Sequence, residues 1–143
     1  MSYAKPLPKP DPLMAPFWDG ARAGRLLVQT CRACNDAHFP PGPVCPACLS
    51  PDQEWKETAG PPTLQSWVRF HRAYWDGFRD DLPYPVCLVQ LAEGPLLVSN
   101  LVGDAAGARL GAELRVVFDA VTPEVTLPKF ALAYSPWPEV ISA

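Results

Sequence analysis

Cys31-Arg32-Ala33-Cys34 and Cys45-Pro46-Ala47-Cys48 are two C-x-x-C pairs with ten residues between them. Two residues between cysteines let a tight turn aim both sulfurs at one point. Two such turns facing each other complete a tetrahedral tetrathiolate site, with bonds of about 2.3 Å when the ion is zinc. The competing readings are redox dithiols or disulfides. A redox C-x-x-C opens a helix within a βαβ unit, and neither pair has that context. Cys31, Cys34, Cys45 and Cys48 are therefore expected to hold a metal. A closed sulfur shell leaves no coordinated water to activate, so the site is expected to hold structure and not to catalyse. Tetrathiolate iron uses the same ligands, which keeps an electron carrier as an alternative.

Other reactive side chains are few. Cys87 lies in an apolar run and reads as a small buried side chain, since a catalytic thiol would need a base. The only histidines are His38 and His71. His38, between the two pairs, could replace a cysteine as ligand but is not needed. His71, beside Arg69 and Arg72, reads as a rim residue. Asp80-Asp81 reads as a solvated turn. No G-x-S-x-G, H-E-x-x-H or phosphate-binding glycine loop occurs, so the chain is expected to bind and not to catalyse alone.

These residues sit in a chain of 143 residues with a net charge of −3 and 48% hydrophobic residues. That is enough for one ordinary domain, or for one small domain plus a metal-stapled module, and the acidic balance argues against a general nucleic-acid binder. No apolar stretch approaches the roughly 20 residues of a membrane span, and the first residues lack a signal-peptide core. A reducing cytoplasm is the expected compartment.

Nineteen prolines and nine glycines favour short strands and turns. Residues 1–12 read as an extended, proline-rich tail. Leu13, Met14, Phe17, Trp18 and Ala21 recur at helical spacing, with Pro16 suited to a first turn and Gly24 to a stop. The apolar face of this helix must dock, either on its own domain or on a partner. A strand over 26–30 leads into the first pair. Asn35 suits the left-handed conformation that a knuckle requires, and Leu49 suits it less. A strand over 54–58 closes the module, and Ala59-Gly60-Pro61-Pro62 marks the boundary. The expected units are 1–25 (tail and helix), 26–60 (metal module) and 61–143 (barrel and C-terminal tail).

Five strands are predicted beyond it, over 63–72, 86–91, 96–102, 113–118 and 125–134. Leu64, Ser66, Val68 and Phe70 are expected on one face of the first, and Pro128 at an edge or bend of the last. A short helical turn is expected within 103–111. Five strands interrupted after the third suit a closed Greek-key barrel of the OB type, with a plain sandwich as the alternative. Tyr74, Trp75 and Phe78 fall in the connection after the first strand, where they would either meet a partner or cover the barrel end.

Taken together, the chain resembles the acyl-CoA-associated OB-fold proteins that carry an N-terminal rubredoxin-like zinc ribbon. The shared features are Phe17-Trp18-Asp19-Gly20, residues 26–31 running into C-x-x-C, His38-Phe39-Pro40-Pro41, Glu54-Trp55, Leu82-Pro83-Tyr84-Pro85 and Thr126-Leu127-Pro128-Lys129-Phe130. The resemblance implies a mostly β fold and a non-catalytic subunit that stabilises a thiolase-like, or lipid-transfer-protein-like thiolase, enzyme. It implies zinc, a hetero-oligomer and a share in binding a CoA thioester. Phe17, Trp18, Tyr74, Trp75 and Phe78 become candidates for the partner interface. An arginine often follows the Pro-Pro step in this family, but here Gly42 does, so Arg32, Arg69 and Arg72 are the candidates for CoA phosphates. A nucleic-acid-binding ribbon–barrel protein is the alternative by fold analogy alone.

Overall fold

The computed structural model describes residues 2–138 and 140–141. Helix α1 spans Ala15–Arg22, with Pro16 in its first turn and Gly24 just past its end at φ 76°. The turn that leads into it is held by Asp11, whose Oδ1 accepts from the Met14 N–H at 2.8 Å. The helix buries Phe17, Gly20 and Ala21. At Gly20 a Cβ would lie 2.8 Å from the side chain of Leu27, so only glycine lets the helix approach so closely.

The metal module is a three-stranded antiparallel sheet in the order β2-β1-β3, where β1 is Leu27–Cys31, β2 Ala37–His38 and β3 Gln53–Glu57. Beyond the Gly60-Pro61-Pro62 link come β4 (Thr63–Phe70), a 3₁₀ turn (Asp76–Asp81), β5 (Tyr84–Gln90), β6 (Leu96–Ser99), β7 (Leu114–Ala120), β8 (Thr126–Leu132) and β9 (Val140–Ile141). The order β4-β5-β6 forms one antiparallel sheet, and β8-β7-β9 forms a mixed one in which β7 pairs antiparallel with β8 and parallel with β9. Two seams join them. The Leu64 N–H donates to Ala112 O and the Leu114 N–H to Pro62 O, linking β4 to β7. The Val102 N–H donates to Phe130 O and the Phe130 N–H to Asn100 O, linking the end of β6 to β8. The ring β6-β5-β4-β7-β8 thus closes into a five-stranded OB barrel, as expected from the strand count, and the sandwich is excluded.

Several local expectations are corrected. Leu64 pairs with Val89, but Ser66 pairs with Leu88, so a bulge at Gln65 shifts the register by one. Every side chain after it changes sides. Trp67 turns inward opposite the buried Cys87, while Val68 turns out and is 52% exposed. Leu64 and Val68 therefore do not share a face. Residues 103–111 form turns with no helix, and the only turn of helix in the barrel among the described residues is the 3₁₀ segment in the aromatic connection. Pro128 lies on β8 opposite Phe118 of β7, and the Ser99 hydroxyl donates to its carbonyl at 2.7 Å across the seam.

One core runs through both modules. Phe17 and Ala21 of α1, Leu26 and Val28 of the metal module, and Leu64, Cys87, Val89, Leu114, Phe130 and Leu132 of the barrel belong to a single buried cluster. Phe17 is 4% exposed and meets Phe39 at 5.1 Å between ring centroids. Its expected place at a partner interface is therefore corrected, because it is buried in its own chain. Trp18 packs edge-on against it and is half-buried.

Candidate metal centre and binding surfaces

Each C-x-x-C pair forms the same knuckle. The Asn35 N–H donates to Cys31 O and the Leu49 N–H to Cys45 O, both at 2.8 Å. Asn35 and Leu49 both stand in the left-handed region, at φ 66° and 65°. Asn tolerates that conformation and Leu does not favour it, so Leu49 is held there by the turn. The two knuckles bring the four cysteine sulfurs within 4.8 Å of one another, with 3.6 Å from Cys31 to Cys48 and from Cys34 to Cys45. Sulfurs at tetrahedral corners about 2.3 Å from one ion lie about 3.8 Å apart. The arrangement fits a four-coordinate metal. In each knuckle the first cysteine is buried and the second exposed.

The charge balance points the same way. Burial pushes the Cys31 thiol up, but backbone N–H groups of Cys34 and Ala33 and the neighbouring sulfurs outweigh it and bring it down to about 7. At Cys34 the Asp36 N–H pulls down, yet burial and the three other thiols leave it pushed up to about 12. Four sulfurs this close ionise together only when a cation offsets their repulsion.

A buried polar network backs the first knuckle. Gln29 Oε1 accepts from the Gly42 N–H and from His38 Nε2, each at 2.8 Å, and His38 Nδ1 lies 3.3 Å from Asp36 Oδ2. Both ring nitrogens of His38 thus face protein partners, and the four sulfurs leave it no ligand role. Gly42 is the residue whose backbone completes this network. Gln29 was not singled out from sequence; its place on the buried side of β1, two residues before Cys31, is the signal that could have found it.

The arginines separate. Arg32 is engaged by Asp52 at 3.0 Å and Glu54 at 3.2 Å, which ties the first knuckle to β3. Arg69 and Arg72 share a hollow of about 200 Å³ with His71 and Tyr74, and Arg32 is not part of it. Arg72 sits 5.3 Å over the Tyr74 ring. Cys87 is buried, and burial pushes its thiol up to about 11, so it stays protonated and unreactive at neutral pH.

In the aromatic connection Phe78 stacks on Tyr84 at 5.1 Å and is half-buried, while Tyr74 and Trp75 are 65% and 59% exposed. Of the two readings of this segment, covering applies to Phe78, and exposed apolar surface to Tyr74 and Trp75. No helix among the described residues is long and apolar enough to cross a membrane.

Comparison with known proteins places this architecture. Residues 18–54 match the model described as ChsH2, rubredoxin-like zinc ribbon domain, and residues 55–119 that described as ChsH2, C-terminal OB-fold domain. The chain is 41% identical over 117 residues to a probable enoyl-CoA hydratase alpha subunit of Thermomonospora curvata, covering 80% of this chain and 36% of that one. It thus spans about a third of that relative's length. A DUF35 domain-containing scaffold protein of Methanothermobacter thermautotrophicus is 30% identical over 101 residues, with 69% of this chain and 75% of the relative covered. Among solved structures, a chain of the Ltp2-ChsH2(DUF35) aldolase superposes with a TM-score of 0.79 at 37% identity, covering 89% of this chain and 99% of that one. A DUF35 protein of unknown function from Sulfolobus solfataricus, 14% identical with a TM-score of 0.61, shares the fold. The chain belongs to the DUF35 family of zinc-ribbon and OB-fold proteins that includes ChsH2.

Proposed function

We propose that this chain is a zinc-stapled, non-catalytic subunit that docks on and stabilises a thiolase- or aldolase-type enzyme acting on CoA thioesters in the cytoplasm. The observation that carries the reading is the likeness, over 89% of this chain and 99% of the other, to a chain of an aldolase named for both Ltp2 and ChsH2. The sulfur-only cluster supports it, because such a site would hold zinc through Cys31, Cys34, Cys45 and Cys48 and supply only a staple. The division into units 1–25, 26–60 and 61–143 belongs to the same proposal. Tyr74 and Trp75 are the partner-facing aromatics, with Trp18 beside the seam. Arg69 and Arg72 are the residues of this chain that reach toward the CoA phosphates. Arg32 is left out of that role by its two carboxylate partners.

The hydratase relative favours a second partner class, since its name attaches the same module to an enoyl-CoA hydratase subunit. Co-expression with adjacent thiolase-like and hydratase-like genes distinguishes them. The expected result is a stable complex with the thiolase-like protein and no turnover of acyl-CoA by the chain alone. Trp75→Ala is expected to weaken that complex about a hundredfold without changing the melting temperature. A complex with the hydratase alone, or acyl transfer by the isolated chain, refutes the reading.

A further inference from the structure

Residues 2–10 make no backbone–backbone hydrogen bond among the described residues, and prolines at 6, 8 and 10 keep the segment extended. The segment is nonetheless seated on the barrel, by three unlike contacts. Lys5 Nζ pairs with the Asp81 carboxylate and lies 5.2 Å over the Phe78 ring and 5.9 Å over that of Tyr3. The Tyr3 side chain is half-buried. Gly77 packs so closely beneath the segment that a Cβ would lie 2.4 Å from the Ala4 carbonyl oxygen. Tyr3, Lys5 and Pro6 wall one side of a hollow of about 300 Å³, with Phe78, Tyr84 and Leu127 on the other.

From Lys5 a chain of packed rings runs to the exposed aromatics. Phe78 stacks on Tyr84, Tyr84 packs on Phe70 at 5.3 Å, and Phe70 meets Tyr74 at 6.2 Å. The 3₁₀ turn between them buries no residue of its own and has no side-chain cap; its own ties are the Phe78 N–H to Trp75 O and a solvent-exposed pair of Arg79 with Asp76, which adds little. We infer that residues 2–10 are a strap, clasped through Lys5 on Asp81 and Phe78, that holds the 74–82 segment in the shape in which Tyr74 and Trp75 face outward for the partner. The partner clause rests on the proposed function; the strap itself rests on the contacts.

Amide hydrogen exchange on the full chain tests it. Lys5→Glu reverses the charge, and Gly77→Ala pushes the strap away without touching any charge. Each is expected to speed exchange at 76–82 about tenfold while amides of Val89 and Val117 keep their rates. Lys5→Arg, which keeps the charge and the seat over the ring, is expected to match the natural chain. Unchanged exchange at 76–82 overturns the strap, and so does an equal rise at Val89 and Val117, which would mean only a general loss of stability. Binding to the co-expressed thiolase-like protein is expected to fall about tenfold in Lys5→Glu. Equal binding by both forms overturns the coupling. Faster exchange with no such partner for any form upholds the strap and refutes the proposed function.

Discussion

Phe17 and Phe39 meet at 5.1 Å, and through that contact the helix before the metal module and the turn within it close on one core. Phe17→Ala should therefore cost about 3–5 kcal/mol, the range for a buried phenylalanine. Both modules should feel it together. Calorimetry is expected to show one cooperative transition moved to lower temperature. A lowered transition confined to one module would refute the shared core.

Removing the metal, or a ligand, should act in the same way. Structural zinc contributes on the order of 10 kcal/mol to small fingers. Cys45→Ser, or a strong chelator, is expected to unfold residues 26–58 and to lower the melting temperature of the barrel as well, through Val28 and Leu26. Acid should do likewise, because up to four thiolates take up protons as the ion leaves. Metal analysis beside circular dichroism checks this, and unchanged melting after metal loss would contradict it.

Leu49 offers a prediction of opposite sign. It is 70% exposed and holds φ 65°. Leu49→Gly removes the strain of a left-handed leucine and loses almost no packing. It should stabilise the ribbon by about 1 kcal/mol, read from denaturant midpoints with metal bound. A loss of stability would show that the leucine side chain is needed where it stands.

Cys87 sets an alkaline limit. Burial raises its thiol from an ordinary 9.0 to about 11, so the folded chain favours the neutral form. The stability this contributes is whole below about pH 9 and is lost as pH rises through about 11. Cys87→Ala should be less stable at neutral pH but show a shallower decline over that interval. In the native protein at pH 7, Cys87 is expected to resist alkylation until the chain unfolds. Rapid labelling of Cys87 in the folded state would contradict its burial.

Much of this was legible in the chain. The doubled C-x-x-C spacing foretells the converging sulfurs because knuckle geometry is local, needing only a turn and a residue that tolerates positive φ. The α1 pattern foretells a helix with one apolar face, but spacing does not say what that face meets, and Phe17 found its own core in place of a partner. Alternation in β4 misled, since a single extra residue at Gln65 inverts everything after it and leaves no mark in composition. Arg32 looked free because Asp52 and Glu54 lie 20 and 22 residues further along the chain. The seat of Lys5 on Asp81 and Phe78 depends on chain path over more than seventy residues, which no local pattern encodes.

The bulge at Gln65 bears on how relatives are compared. Inside and outside are counted afresh from Ser66, so a homologue one residue shorter there would carry its oily positions on the opposite parity. Deleting Gln65 would remove the supernumerary residue and leave Ser66, Trp67 and Val68 opposite Leu88, Cys87 and Val86, the indole still inward. A gap at that column of an alignment is thus a structural event, and identity scored straight across it would pair wall with interior.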